Sequence, residues 1–104
     1  MLMPSIDNLA LECDRTITNL TKDDQPELSA MLLKLMEEVG EVARTWTRDN
    51  EGRYNDSSVE TELIDTLTTL LRICSRALPY GSIQPRLQAH LAELSTRELH
   101  RLKP

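Results

Sequence analysis

Aliphatic residues recur at intervals of three and four along most of this 104-residue chain, and this spacing constrains its fold more than any other feature. Such a period places apolar side chains on one face of an α-helix. Proline, glycine and polar clusters divide the pattern into four segments, and no strand-like alternation separates them. The sequence therefore predicts an all-α fold, a four-helix bundle that forms a single domain over residues 1–104.

Local signals predict the bounds of the first two helices. The first runs from about Ser5 to Thr21, because the serine hydroxyl suits the N-cap position. The polar connector TKDDQP follows. The second begins near Pro26, since proline lacks an N–H and the first helical residue has no partner for one. Its apolar pattern fades after Arg48.

The third and fourth helices have weaker start signals. Ser57 followed three residues later by Glu60 resembles a capping box, with the serine as N-cap. The third helix then continues to the breaker LPYG. The fourth begins near Pro85 and carries a sparser leucine stripe. Cys13 and Cys74 lie among apolar helical residues and are expected to be free thiols rather than a disulfide.

Composition excludes several functional classes. The formal net charge is −5 and no basic stripe is visible, so a nucleic-acid polymer is not expected as a direct partner. No apolar run has the length of a membrane span, and the N-terminus lacks the features of a signal peptide. We expect a cytoplasmic protein. Aromatic content is only 3% with no Phe, so the aliphatic core is thin and oligomerisation would add burial.

Carboxylates cluster on the second and third helices. Glu38 and Glu41 are three residues apart on one flank of the second apolar stripe, with Glu37 slightly further out. Glu62 and Asp65 repeat that arrangement on the third helix. If the two helices pack antiparallel, the two pairs converge, and such a donor set suits Mg²⁺, with Mn²⁺ as a possible substitute. The alternative is a solvated acidic face.

These acidic motifs resemble a known family signature. EEVGE (37–41) is followed after twenty residues by ELID (62–65), which is similar to the E-E-x-x-E…E-x-x-D pattern of the MazG family. That family belongs to the all-α nucleoside triphosphate pyrophosphohydrolases. The resemblance covers residues 28–77, about half of the chain, and includes the aliphatic context of both motifs.

The resemblance implies a reaction and its residues. Family members are hydrolases of phosphoric anhydride bonds that convert a (d)NTP to the (d)NMP and pyrophosphate, in nucleotide-pool sanitation. Magnesium is essential, and metal-activated water attacks the α-phosphorus. Carried onto this chain, the resemblance makes Glu38, Glu41, Glu62 and Asp65 metal ligands and gives Glu37 a supporting or water-activating catalytic role. It also implies a homodimer or a homotetramer built as a dimer of dimers.

Four further residues are candidates for substrate binding. Arg72 and Arg76 share a stripe of the third helix with Asp65, where a guanidinium can meet phosphate oxygens. Lys34 lies one turn before the glutamates. Trp46 is either a wall of the base pocket or a residue of the core or of a subunit interface. For the three cations the alternative is an exposed surface charge.

The tail after Tyr80 has no clear match to the Asn- and Lys-bearing segment of several MazG relatives, so nucleotide contacts there are in doubt.

Two other functions remain open. A phosphoribosyl-ATP pyrophosphohydrolase would share the same chemistry. A non-catalytic helical interaction module would use the helices only for packing and would bind no divalent ion tightly.

Overall fold

A computed structural model describes residues 5–22 and 27–102, and these residues contain helices and turns but no β-strand. The four helices are α1 (Ile6–Thr21), α2 (Leu28–Asn50), α3 (Val59–Ala77) and α4 (Ile83–Arg101). The predicted all-α four-helix bundle is confirmed.

Helix α3 lies between α1 and α2 and packs against both. It runs antiparallel to α2, since a loop of only eight residues joins them and Thr69 near the middle of α3 meets Glu38 in the middle of α2. It is also antiparallel to α1, because Asp14 contacts Arg76 near the end of α3 while Thr21, the last residue of α1, lines a cavity with Asp65 in the first half of α3. Helix α4 packs more lightly, against α1. The two motif helices are therefore adjacent, as the sequence predicts.

The helix starts differ from the predictions by a few residues. Ser5 caps α1 as predicted, because the Asn8 N–H donates to its Oγ at 3.1 Å. The predicted cap Ser57 is wrong by one residue: Ser58 is the N-cap of α3, and its Oγ accepts the Thr61 N–H at 3.1 Å. The box with Glu60 does not form, because the third helical position belongs to Thr61.

Helix α2 begins at Leu28 and runs to Asn50, two residues beyond Arg48. Pro26, predicted to open this helix, lies outside the described residues, as does most of the preceding connector.

Helix α4 is capped from another helix. It starts at Ile83, two residues before the predicted Pro85, which lies within the first turn where its missing N–H has no partner to lose. The side chain of its N-cap Ser82 makes no cap hydrogen bond. Instead Asp7 of α1 accepts the N–H groups of Gly81 at 3.0 Å, Ile83 at 2.9 Å and Gln84 at 3.1 Å.

The buried interior of the single chain is small and contains both apolar and polar residues. The buried residues are Ala10, Met31 and Ile73 together with the polar Asp7, Thr45 and Glu62. The apolar stripes predicted to form the core are largely exposed instead. Val39 and Trp46 of α2 keep 53% and 59% of their surface, and Leu63 of α3 keeps 51%. These stripes do not bury each other within one chain, because α3 turns its threonine- and arginine-bearing side toward α1.

Both cysteines are free thiols, as predicted, and both are half-buried. Burial raises the pKa of the Cys13 thiol, and the neighbouring Glu12 carboxylate raises it further. Among the helices that the structure describes, none combines the length and the apolar character needed to cross a bilayer.

Candidate functional site

A cavity of about 370 Å³ opens between the C-terminal part of α1, the first half of α2 and the middle of α3. Glu38 and Asp65 bring two carboxylates to it from different helices, and Lys34 and Arg72 bring two cations. These four were all predicted from sequence as site residues. The volume falls in the range of small-molecule sites, which is roughly 300–1,000 Å³.

The remainder of the cavity is apolar or hydroxyl-bearing. Ile17, Ala30 and Met31 form apolar wall, while Thr68 and Thr69 contribute from α3. The carboxylates and cations can engage a charged group, and the apolar surface can engage a less polar part of the same ligand.

Glu38 is held in place by a hydroxyl on the neighbouring helix. The Thr69 Oγ1–H donates a hydrogen bond to Glu38 Oε1. Glu38 is half-buried because it lies on the line of α2 that faces α3. A carboxylate fixed by a second side chain keeps a defined direction toward the cavity, which is the arrangement that ordered metal ligands usually show.

Two arginines of α3 share one carboxylate of α1. Arg72 Nε and Arg76 Nε donate to Asp14 Oδ1 at 3.0 and 2.9 Å. Their Nη2 atoms donate to Thr18 Oγ1 at 3.1 and 3.2 Å. The side chains keep only 13%, 23% and 16% exposure, for Arg72, Arg76 and Asp14 respectively. Because two guanidiniums share one carboxylate, this cluster carries a net positive charge beside the cavity.

Two of the predicted acidic residues lie at the surface. The Glu37 carboxylate is 3.9 Å from Lys34 Nζ and is 70% exposed, and Glu41 is 3.9 Å from Arg44. Neither lines the cavity. Exposed pairs of this kind contribute about 0–1 kcal/mol, so each carboxylate can leave its partner at small cost.

Glu62 is buried, one turn before Asp65, and does not line the cavity. In the part of the chain that the structure describes, no three His, Cys, Asp or Glu side chains form a group that could hold a metal ion. The predicted convergence of four carboxylates is thus not present in this arrangement of side chains.

A site with two carboxylates rather than four nevertheless fits magnesium. Magnesium is often held by one or two carboxylates, with waters and substrate phosphates as the other ligands. Glu38 and Asp65 are two such carboxylates on one cavity.

The last two predicted binding residues lie away from the cavity. Trp46 is exposed on α2 and does not line it, so the predicted base-stacking role has no support within one chain. Arg76 does not line it either and reaches it only through the cluster with Asp14 and Arg72.

Comparison with known proteins adds no identification. Neither the family models, nor the curated proteins, nor the solved structures contain a match to this chain. The MazG resemblance therefore depends on the two motifs, their spacing and their aliphatic context.

Sequence reasoning missed Asp14, Thr18 and the role of Thr69. Asp14 and Thr18 are four apart on α1, which is a signal for a shared helix face. Nothing local indicates that this face meets two arginines about sixty residues away. Thr69 lies on the same stripe of α3 as Asp65 and Arg72, so its position near the site could be predicted from the sequence. Its hydrogen bond to Glu38 could not, because that bond depends on how α2 and α3 pack.

Proposed function

We propose that the chain is a Mg²⁺-dependent nucleoside triphosphate pyrophosphohydrolase that converts a (d)NTP to the (d)NMP and pyrophosphate. One observation carries this proposal: a single cavity combines carboxylates from both motif helices, Glu38 and Asp65, with the cations Lys34 and Arg72 and an apolar wall. The motif resemblance to the MazG family supports the same conclusion independently of the cavity.

Each group has a role that its position suits. Glu38 and Asp65 would hold magnesium, which when bound offsets negative charge and lowers the pKa of a coordinated water. Arg72, held by Asp14, and Lys34 at the rim would bind phosphate oxygens. The apolar wall of Ile17, Ala30 and Met31 would take the nucleoside.

The reaction breaks the bond between the α-phosphorus and the bridging oxygen. A water oxygen attacks the α-phosphorus, pyrophosphate leaves, and the water's proton passes to a carboxylate. Glu37 is the predicted acceptor. It does not line the cavity but pairs with Lys34, which does, and the weakness of that exposed pair allows its carboxylate to turn inward. Glu41, paired as weakly with Arg44, can turn toward Asp65 in the same way.

The decisive experiment measures pyrophosphate release from a panel of (d)NTPs and phosphoribosyl-ATP in the presence of Mg²⁺. We expect release from at least one compound, and Glu38→Gln and Asp65→Asn should each abolish it. Loss of a group that orients a metal ligand costs about 10–100-fold, so loss of the ligand itself should cost on the order of 100-fold or more.

Glu98→Gln is the matched control, because Glu98 is an exposed carboxylate on α4 that pairs only loosely with Arg101. This variant should retain wild-type activity. Preference for phosphoribosyl-ATP would identify the histidine-synthesis substrate. A folded protein that releases pyrophosphate from no compound in the panel would contradict the proposal.

The competing function is a helical interaction module, and a specific observation favours it: α2 and α3 expose long apolar side chains. Such a module predicts no change in melting temperature on addition of Mg²⁺ with a nucleotide. The pyrophosphohydrolase predicts stabilisation, by about 2.7 kcal/mol when free ligand is 100 times its Kd.

A further inference from the structure

The loop between α2 and α3 folds back over the end of α2 and forms a small polar pocket there, which we name the arginine pocket. It is lined by two cations and their polar neighbours: Arg44, Thr45, Arg48, Tyr54, Asn55 and Asp56. Its volume is about 170 Å³, and it shares no lining residue with the candidate site. Since Arg44 lies six residues beyond Glu38 on α2, roughly 9 Å of helix separates the two.

A Schellman motif ends α2 and fixes the start of this loop. Gly52 adopts a left-handed φ of 68°, and its N–H donates to the Asp49 carbonyl at 3.1 Å. The Arg53 N–H donates to the Arg48 carbonyl at 2.8 Å. Both acceptors belong to the last turn, where a helix leaves its carbonyls unpaired at its negative end. Because these oxygens are hydrogen-bonded, the end of α2 opposes a nearby anion less than a bare helix end would.

The side chain of Asn55 then holds the loop against α2. Its Nδ2 group donates to the Thr45 carbonyl at 3.1 Å and to Asp49 Oδ1 at 2.6 Å. Both acceptors lie on α2, so the residues on either side of Asn55 stay beside the two arginines. The arginine pocket is therefore formed before any ligand enters it.

The two arginines of the pocket differ in their partners. Arg44 is 3.9 Å from Glu41 and 60% exposed, which is a weak surface pair. In the part of the chain that the structure describes, the half-buried Arg48 guanidinium makes no ion pair, and neither does Asp56, which lines the same pocket. Two guanidiniums beside one carboxylate give the pocket a net positive charge, in a chain whose formal net charge is −5.

The size and charge of the arginine pocket select the class of its ligand. Residues four apart on a helix are neighbours, with about 5–6 Å between their Cβ atoms, so Arg44 and Arg48 can reach one anion together. A phosphate has several oxygens that accept paired guanidinium N–H groups, and the exposed Tyr54 hydroxyl is a further donor. The volume is below the roughly 300–1,000 Å³ of sites for drug-sized ligands, so a small anion fits better than a nucleotide.

We propose that the arginine pocket binds a free inorganic phosphate anion, orthophosphate or pyrophosphate, between Arg44 and Arg48. The anion supplies the counterion that the half-buried Arg48 lacks, and their attraction offsets the cost of removing that guanidinium from water. Binding uses neither the carboxylates of the candidate site nor a metal ion. It therefore does not depend on hydrolysis of nucleotides by this chain.

Nuclear magnetic resonance tests this binding with the full chain, labelled with nitrogen-15 and free of Mg²⁺. The protein is titrated with orthophosphate and, separately, with pyrophosphate, and the Asn55 side-chain amide and the Tyr54 and Asp56 backbone amides report on the pocket. We expect at least one of the anions to shift these signals to saturation, and the two dissociation constants show which anion fits better. Sodium chloride at the same ionic strength should shift them little, because it only screens charge.

Two variants remove the proposed ligands of the anion one at a time. Arg48→Gln deletes one guanidinium but keeps the backbone carbonyl that accepts from Arg53. We expect it to raise the dissociation constant by about 10-fold or more, because charge-assisted hydrogen bonds are lost. Arg44→Gln should have a similar effect. Since Arg44 is exposed, that variant tests the proposal even where Arg48→Gln fails to fold.

Arg53→Gln is the matched control. It removes the same charge from the same loop, but Arg53 lies outside the pocket and pairs with Glu51 at 4.0 Å. Its affinity for the anion should stay within about twofold of wild type, since exposed charges at this distance are largely screened.

Three results would overturn the proposal: pocket signals that saturate with neither anion, shifts that chloride reproduces, or equal weakening by Arg53→Gln and Arg48→Gln. Saturable shifts confined to the cavity around Arg72 would do the same. Because the titration contains no metal and measures no turnover, a chain without pyrophosphohydrolase activity can still confirm the anion site. An active enzyme can equally lack it, so the two proposals fail separately.

Discussion

Asp14 is the residue whose importance the structure changes most. It is the shared carboxylate of Arg72 and Arg76, and both ion pairs are largely shielded from water. Removing one partner from a buried ion pair costs about 3–5 kcal/mol because the other charge stays unpaired. Since these side chains keep some exposure, we expect Asp14→Asn to lower the unfolding free energy by roughly 2–3 kcal/mol.

Urea unfolding followed by circular dichroism measures that loss. Glu12→Gln is the comparison, because Glu12 is an exposed carboxylate on the same helix. That change should alter stability by no more than about 0.5 kcal/mol. Equal effects of the two substitutions would show that the arginine cluster contributes no more than a surface charge.

Thr69 and its neighbour Thr68 form a natural pair of test positions. Both line the cavity, but Thr69 donates to the Glu38 carboxylate whereas Thr68 donates to the backbone carbonyl of Ile64. If Glu38 holds magnesium, Thr69→Val should lower kcat/KM for pyrophosphate release by about 10–100-fold. Thr68→Val should have much less effect. A similar loss in both variants would mean that the bond to Glu38 has no special role.

At this scale the sequence indicates which residues share a helix face but not which faces meet. Helical spacing and the family resemblance together predicted one site for Glu38, Asp65, Lys34 and Arg72. All four line one cavity, and their role in it stays a prediction. The placement of Glu37 and Glu41 in surface pairs depends on side-chain rotamers that differ little in energy. Such placements cannot be predicted from a helical period.

Among the helices, α4 is capped at its N-terminus by a single side chain of α1, Asp7. Burial raises the pKa of Asp7, but hydrogen bonds from the backbone N–H groups of Ile83, Gln84 and Gly81 outweigh burial, so the net pKa lies below its ordinary value of 3.8. A carboxyl whose pKa is depressed on folding adds stability above its unfolded pKa and loses it as the pH falls through the folded value. Docking of α4 should therefore weaken below about pH 3.8.

Hydrogen exchange at the start of α4 tests this cap. Asp7→Asn should speed exchange of the Gly81, Ile83 and Gln84 amides at neutral pH and remove the acid dependence attributed to Asp7, since an amide has only one acceptor oxygen. Ser82→Ala should change little although Ser82 is the N-cap residue, because its hydroxyl bonds the Pro79 carbonyl instead. The reverse order of effects would contradict capping by Asp7.

The four helices could be predicted because the spacing of their apolar residues, the prolines near their starts and their N-cap serines are all local signals in the sequence. Their ends are less certain: Ser57 and Ser58 are equally good caps by composition, and only the backbone geometry at Thr61 decides between them. Gly81 adopts a positive φ of 87° in the turn before α4, which presents its N–H to Asp7. No local pattern reveals that a residue seventy-four positions earlier caps this helix.

On the scale of the whole molecule, α2 and α3 each have one charged flank and one apolar flank. One flank carries the charged residues of the cavity and is covered by α1, and the other carries exposed aliphatic side chains such as Val39 and Leu63. The aliphatic stripes predicted the helices correctly, but a helical period does not show which surface, of this chain or of another, covers the apolar face. The homodimer that the family resemblance implies would bury these side chains, and folding would then be coupled to association.

Coupling has a measurable consequence for thermal unfolding. When the folded state is a dimer and the unfolded state a monomer, the unfolding free energy per dimer rises by about 1.4 kcal/mol for each tenfold increase in protein concentration. For a domain of this size that increment raises Tm by several degrees.

We expect the wild-type Tm to rise as the protein concentration is increased across a hundredfold range. Leu67→Glu puts a carboxylate among the exposed aliphatic side chains of α3, so its Tm should be lower and independent of concentration. Leu20→Glu, at an exposed position of α1, should follow the wild type. A wild-type Tm that does not change with concentration would mean that the small interior around Ala10, Met31 and Ile73 stabilises the chain alone.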